Sequence, residues 1–263
     1  LIIYSDGGKS EDEEIKVKEV RAFLKTISGF KSVTIHESAV NKGLATSVIN
    51  GVNEVISKYK KAIVLEDDLI ISRNFLVFMN QGLDYYKNNP KILSISGYSP
   101  NIKGLMPNDV YFTHRASSWG WATWEEKWNL IDWTCSSYEE FANDGYAMSR
   151  FNKMGSDLSL MLNRQMKGKI NSWAIRFCYN QFRKDLFSIH PAVSKVVNIG
   201  FTSEASNTKM IFNPYHTKLD DGEETHFHFS SDVKIEQSII QQFTRPFSIP
   251  CRIKYKLYNM LFS

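Results

Sequence analysis

The chain has 263 residues, 43% hydrophobic and 23% charged, the proportions of a folded domain and not of a disordered or fibrous chain. A formal charge of +4 and a pI near 8.8 are too weak to argue for nucleic acid, though they suit an anionic ligand or an acidic membrane surface. Three distant cysteines (Cys135, Cys178, Cys251) and no Asn-x-Ser/Thr acceptor speak for free thiols in a reducing compartment, so a cytoplasmic location is expected.

Leu1-Ile2-Ile3-Tyr4 reads as a strand, with no signal-peptide pattern, and ends at the turn Ser5-Asp6-Gly7-Gly8. Ser10 and Glu13 match a capping box for a helix from about Glu11 to Ile27, with Ile15, Val20, Phe23 and Leu24 on its apolar side. Val33-Thr34-Ile35 is a second strand. Asn41-Lys42-Gly43 opens a helix whose inward face is Leu44, Val48, Val52, Val55 and Ile56.

Lys61-Ala62-Ile63-Val64-Leu65 is then a buried strand running straight into Glu66-Asp67-Asp68. A helix over about Ser72–Lys87 and a strand over Ile92–Tyr98 complete a βαβ alternation, which predicts a mostly parallel sheet flanked by helices. Val110-Tyr111-Phe112 is a further strand, followed by an indole-rich loop over Arg115–Trp121 and a polar helical stretch. All six tryptophans lie between Trp119 and Trp173. Helices are expected from Leu158 and over Ser172–Phe182, a strand over Val193–Ile199, and loop over Phe201–Thr225. No apolar run approaches the roughly 20 residues of a membrane span.

Ligands collect outside the carboxyl ends of strands in open α/β sheets. Three adjacent carboxylates there repel one another unless a cation intervenes, and a hard divalent ion prefers such oxygens. On an extended chain Glu66 and Asp68 face one way and Asp67 the other. Taken alone, the triplet reads equally as a metal site or as a solvated acidic turn.

Tyr4-Ser5-Asp6-Gly7, Val64-Leu65-Glu66-Asp67-Asp68, the Asn41-x-Gly43 loop, Ser117 to Trp124 and Asp157 occur in the order seen in GT-A-fold glycosyltransferases. From Leu1 to about Thr208 the chain resembles the bacterial sugar transferases of surface-polysaccharide clusters, which in turn resemble N-acetylglucosaminyltransferase I. The resemblance implies one domain with a GT-A-like, Rossmann-like, mixed and mostly parallel sheet. It assigns 1–115 to the nucleotide-sugar half, 116–215 to the acceptor and catalytic half, and 216–263 to a C-terminal tail. By the resemblance, a further first strand of the family is expected to precede Leu1. Residues 201–208 lack the further glycine and the histidine expected after Gly200.

In the family the last acid of the triplet binds Mn²⁺ or Mg²⁺ that bridges the donor diphosphate. The resemblance gives this role to Asp68, with Glu66 and Asp67 touching the ribose or supporting the ion through water. It gives Asp6, Asn41 and Gly43 contacts to the nucleotide. An aspartate that fixes its own turn and an ordinary Asn/Gly helix start are the structural alternatives. Asp157 is the candidate base for the acceptor hydroxyl, against an N-cap at the Leu158 helix. Asp185 and Glu204 are weaker candidates.

Gly120 and Trp121, then Trp119, are expected to line the sugars, because indole faces pack on sugar C–H faces. Trp124, Trp128 and Trp133 are expected in the core. Arg176 reads as a diphosphate contact or a structural pairing, and His114 and Arg115 as further phosphate candidates. His226 and His228 alternate as on a strand. The tail from Phe243 interleaves cations with apolar residues and suits either an anionic membrane surface or packing on the domain.

The reaction expected is metal-dependent, inverting transfer of a sugar from a nucleotide-sugar, UDP-linked as first choice, to a glycan or lipid-linked acceptor in polysaccharide synthesis. A non-catalytic carbohydrate-binding protein and a Mg²⁺-dependent nucleotidyltransferase are the rivals, since fold alone does not separate them.

Overall fold

The computed structural model describes residues 1–201 and 213–262. The first half runs β1 (Ile2–Ser5), α1 (Glu11–Leu24), β2 (Thr34–Glu37), α2 (Leu44–Tyr59), β3 (Lys61–Val64), β4 (Leu69–Ile71), α3 (Phe75–Tyr85), β5 (Ile92–Ser96) and β6 (Val110–Thr113). The second half begins with β7 (Trp121–Trp124) and the short helices α4 (Glu125–Trp128), α5 (Tyr138–Ala142) and α6 (Gly145–Phe151). It continues with α7 (Leu158–Met166), α8 (Trp173–Arg183), β8 (Phe187–Pro191), β9 (Val196–Asn198), α9 (Gln237–Thr244) and α10 (Ile249–Phe262).

The central sheet has the order β3-β7-β5-β8-β6. Only β5–β8 is a parallel pair; β3–β7, β5–β7 and β6–β8 are antiparallel. The mostly parallel sheet read from the sequence is therefore corrected. β3 and β5 do run in one direction, since both oppose β7, and β8 runs with them. The segment after Pro100 turns back, however, and inserts β7 between β3 and β5 and places β6 beyond β8. Two small sheets stand apart: parallel β1–β2 and antiparallel β4–β9.

Two cores cover the faces of the central sheet. On one, Phe75, Phe78, Met79 and Leu83 of α3 meet Ile95, Ala122 and Ile189, with Phe227 and Phe229 packed alongside. On the other, Val52 and Ile56 of α2 and Trp173 and Phe177 of α8 meet Leu93, Trp121 and Trp128. Both cores draw on residues before and after 115, so that boundary marks roles along the chain and not separate bodies. Much of the 216–263 tail is also integral. Ile239, Ile240 and Phe243 of α9 are buried, and Asp220 forms a buried ion pair with Lys195 at 2.8 Å.

Ser10 caps α1 as expected, accepting from the Glu13 amide at 3.3 Å. Of the predicted apolar side only Leu24 turns inward; Ile15, Val20 and Phe23 are exposed, and α1 buries no residue fully. Its inward row is Glu14, Val17, Arg21 and Leu24. Arg21 sets that orientation by donating to Ser5 Oγ and to the carbonyls of Ser5, Asp6 and Ser38. No helix among the described residues is long and apolar enough to cross a membrane.

Candidate functional site

The common direction of β3, β5 and β8 brings their carboxyl ends to one edge of the sheet, together with the start of β7. There β3 gives way to Glu66-Asp67-Asp68. Glu66 and Asp68 are half-buried while Asp67 is exposed, but Asp67 and Asp68 lie in the turn between β3 and β4, so the extended geometry expected for the triplet is corrected. Burial, reinforced by the charges of Asp68 and Asp67, pushes the Glu66 carboxyl up to about 7. Among the described residues no lysine, arginine or histidine pairs with any of the three.

Asp68 Oδ1 is buried and has no hydrogen-bond partner among the described residues. The Asp68 carbonyl accepts from the Ile199 amide at 2.9 Å, which draws Gly200 against the carboxylate. A Cβ on Gly200 would run into Asp68 Oδ2, so only glycine leaves that carboxylate where it is. Among the described residues no three His, Cys, Asp or Glu side chains form a group able to enclose an ion. An orphaned carboxylate oxygen beside a second, strained acid nevertheless fits a hard cation of the Mg²⁺ type. Such ions commonly take one or two carboxylates and complete their shell with water and substrate phosphate.

From Asp68 a line of rings leads across the edge. Gly200 precedes Phe201, whose ring lies 5.5 Å from Trp119; Trp119 in turn meets Tyr98 at 4.7 Å and Tyr215 at 6.0 Å. Gly120, at φ 57°, turns the chain from this exposed edge into β7, a left-handed conformation that glycine adopts without strain. Tyr215 stacks near Phe247 at 5.4 Å, and the Arg115 guanidinium sits 3.6 Å above the Phe247 ring.

Arg115 closes the line with two 2.8 Å hydrogen bonds to Asp157. Burial opposes the charge on Asp157, but these bonds outweigh it and hold the carboxyl below its ordinary value. The Asp157 side chain makes no capping bond to α7. Of the two roles expected for it, the cap is therefore excluded by geometry, and the carboxylate is engaged by a cation the sequence did not connect to it.

Trp121 does not line this edge. It is buried to 2% exposure and stacks with Trp173 at 4.8 Å and Trp128 at 5.6 Å, in the core behind the sheet. The indole in the line of rings is Trp119, two positions earlier, half-buried and on the loop. The expected sugar contact at Trp121 is thus corrected, because its indole is enclosed in the core. Trp124 and Trp128 are buried as expected.

Asp6, Asn41 and Gly43 form a separate cluster. Asp6 accepts from the amides of Gly7, Lys42 and Gly43 at 2.9 to 3.1 Å, and Asn41 Nδ2 donates to the Gly7 carbonyl at 2.8 Å. Both Asp6 oxygens are thus occupied in locking the end of β1 to the loop before α2, the turn-fixing alternative. Arg176 is likewise structural, donating to the carbonyls of Ser172 and Trp133 and to Asn171 Oδ1.

His228 pairs with Asp109 at 3.0 Å, and His114 lies 3.8 Å from exposed Asp185. None of these reaches the acidic edge. Glu204 and the rest of 202–208 lie outside the described residues. Sequence reasoning did not single out Tyr98, Tyr215 or Phe247, which carry no motif and meet only through the fold.

No protein-family model matches the chain, and no curated protein matches it either.

Proposed function

We propose that the chain is a metal-dependent glycosyltransferase that moves a sugar from a nucleoside diphosphate sugar to an acceptor hydroxyl of a glycan or lipid-linked glycan. The observation that carries this reading is the Glu66/Asp68 pair. Two half-buried acids stand together without a cation, one with an orphaned oxygen, at the sheet edge where α/β proteins bind ligands. The order of motifs shared with GT-A glycosyltransferases supports it, and so does the line of rings through Phe201, Trp119, Tyr98 and Tyr215 that begins beside Asp68.

In the proposed reaction the acceptor oxygen bonds to the anomeric carbon, the bond from that carbon to the diphosphate breaks, and the nucleoside diphosphate leaves with the electron pair. A divalent cation held by Asp68 and Glu66 would neutralise charge that builds on the diphosphate. Trp119 offers an indole face for the transferred sugar, with Tyr98 and Tyr215 fixing the ring from behind. Asp157 is assigned the acceptor proton. Arg115 keeps it ionised at neutral pH, which is the form a base requires, while tempering its basicity. Attack by an acceptor held opposite the leaving group inverts the anomeric centre. The donor base and ribose are assigned to the loops that Asp6 and Asn41 hold together, through backbone groups and not through the Asp6 carboxylate.

The test is a screen of UDP-, GDP- and dTDP-sugars with Mn²⁺ or Mg²⁺, following release of nucleoside diphosphate. Metal-dependent release that disappears in Asp68→Asn supports the proposal. Formation of nucleoside triphosphate and sugar 1-phosphate from the donor when pyrophosphate is added, without release of nucleoside diphosphate, would instead make the protein a nucleotidyltransferase. Glycan binding without any turnover or nucleotide binding would make it a carbohydrate-binding protein.

A further inference from the structure

We propose that α10 is a membrane-docking element that lays its outer face on an anionic lipid surface. Cys251, Tyr255 and Asn259 form the half-buried side turned toward the domain. The opposite stripe of Ile249, Ile253, Leu257, Met260 and Leu261 is between 50% and 74% exposed. At 3.6 residues per turn these five fall on one face, with Lys254 flanking one side and Lys256 and Arg252 the other.

From Arg245 to Phe262 the chain carries four cations and no acid. Aliphatic residues between basic flanks are the arrangement that sinks an amphipathic helix into a headgroup layer and attracts negative lipid. A second copy is a poor occupant. A two-fold contact through this face would set the same cations against one another with no carboxylate on the helix to relieve them.

The surroundings of the helix strengthen the assignment. A cavity of about 610 Å³ opens beside the stripe, between Tyr215 and Pro246 on one wall and Ile253, Met260, Arg252 and Lys256 of α10 on the other. Apolar walls with two cations suit a phosphate-bearing headgroup that keeps part of its acyl chain in contact with protein. The helix is also tied firmly to the domain. Arg252 Nη1 donates to Ser156 Oγ at 3.0 Å, and Ser156 Oγ donates to the Phe247 carbonyl at 2.7 Å. A docked α10 would therefore hold the Tyr215–Phe247 end of the line of rings close to the bilayer. The docking itself does not depend on the transferase reading.

The experiment is vesicle flotation of the full chain with phosphatidylcholine alone and with phosphatidylcholine mixed with phosphatidylglycerol. Binding is expected to the anionic vesicles only, falling as salt is raised. Lys254→Gln with Lys256→Gln should weaken it about 25-fold, about fivefold for each cation removed. Ile253→Ser with Leu257→Ser should abolish it, with thermal stability unchanged because both side chains are exposed. Inorganic phosphate should not compete if the partner is a bilayer. Competition by phosphate, equal binding by the three proteins, or no binding to anionic vesicles would each overturn the proposal. So would a dimer that dissolves on Ile253→Ser with Leu257→Ser.

Discussion

Arg115 and Asp157 face each other through two parallel hydrogen bonds, Nη1 to Oδ1 and Nη2 to Oδ2, each 2.8 Å long. Both side chains are only 12% exposed, and the guanidinium is held from the other side by Phe247. Removing one partner from such a pair strands the other charge in a poorly solvated place. Arg115→Met should therefore cost about 3–5 kcal/mol by urea denaturation. Arg115→Lys should recover only part of that loss, since a point charge does not reproduce the fork. Arg115→Met with Asp157→Leu should be more stable than Arg115→Met alone. A strictly additive double variant would show that the pair is not coupled.

Asp68 and Asp67 are adjacent acids in different surroundings, and a metal role should separate them. In the presence of UDP, Mn²⁺ is expected to raise the melting temperature of the wild-type protein. Asp68→Asn should remove that shift and Glu66→Gln should reduce it. Asp67→Asn, on the exposed side, should keep most of it. Gly200→Ala is the more discriminating change, because it alters no ligand and only pushes a methyl group against the Asp68 carboxylate. A full Mn²⁺ shift in Gly200→Ala would count against Asp68 as the ion's ligand.

Trp119 and Trp121 sit two residues apart on opposite terms. Trp121 fills the core between Trp128 and Trp173, so Trp121→Ala should cost about 3–5 kcal/mol and lower the yield of folded protein. Trp119 is only partly buried, on the loop before β7. Trp119→Ala should cost less stability than Trp121→Ala and should weaken sugar-dependent quenching of tryptophan fluorescence. Unchanged quenching in Trp119→Ala would remove the indole from the site.

The contrast between these two tryptophans shows where the sequence stopped being legible. The acidic edge could be read because four apolar residues running into three carboxylates carry their own explanation. α8, which Ser172 caps, could be read for the same reason, and so could most of the inward row of α2, where only Leu44 of the expected face is exposed. β7 could not, because Trp-Ala-Thr-Trp is short and runs directly into Glu-Glu-Lys, the start of α4, whose helical pattern hides the strand before it. β8 was missed because Ser188 and His190 interrupt its apolar run and Pro191 ends it. The fold satisfies them from afar, through Ser94 and Gln181 for the serine and the Tyr98 carbonyl for the histidine. With both strands unseen, the sheet looked parallel. The ion pair was invisible for a related reason, since Arg115 and Asp157 are 42 positions apart.

His190 supplies a pH test. It is fully buried on β8, with Nδ1 2.8 Å from the Tyr98 carbonyl and Nε2 3.2 Å from the Arg115 carbonyl. Burial lowers its pKa from 6.5 to about 4, against the pull of the two carbonyls. The unfolded chain thus takes up a proton that the folded protein refuses. The contribution of His190 is complete above 6.5 and is lost as the pH falls toward about 4. The loss is on the order of 3 kcal/mol. Asp157, whose carboxyl is held below its ordinary value, adds its own acid lability only at still lower pH. Glu66 acts in the opposite sense across 4.5 to about 7, because its raised carboxyl favours the folded protein when protonated. The measurement is therefore made in Glu66→Gln with chelator present. Stability from urea titrations should fall from pH 6.5 to pH 4 in that background and stay nearly flat when His190→Gln is added. The NMR signal of the His190 ring should also hold its neutral position until well below pH 6. A ring that titrates near 6.5 would show that its site is open to water.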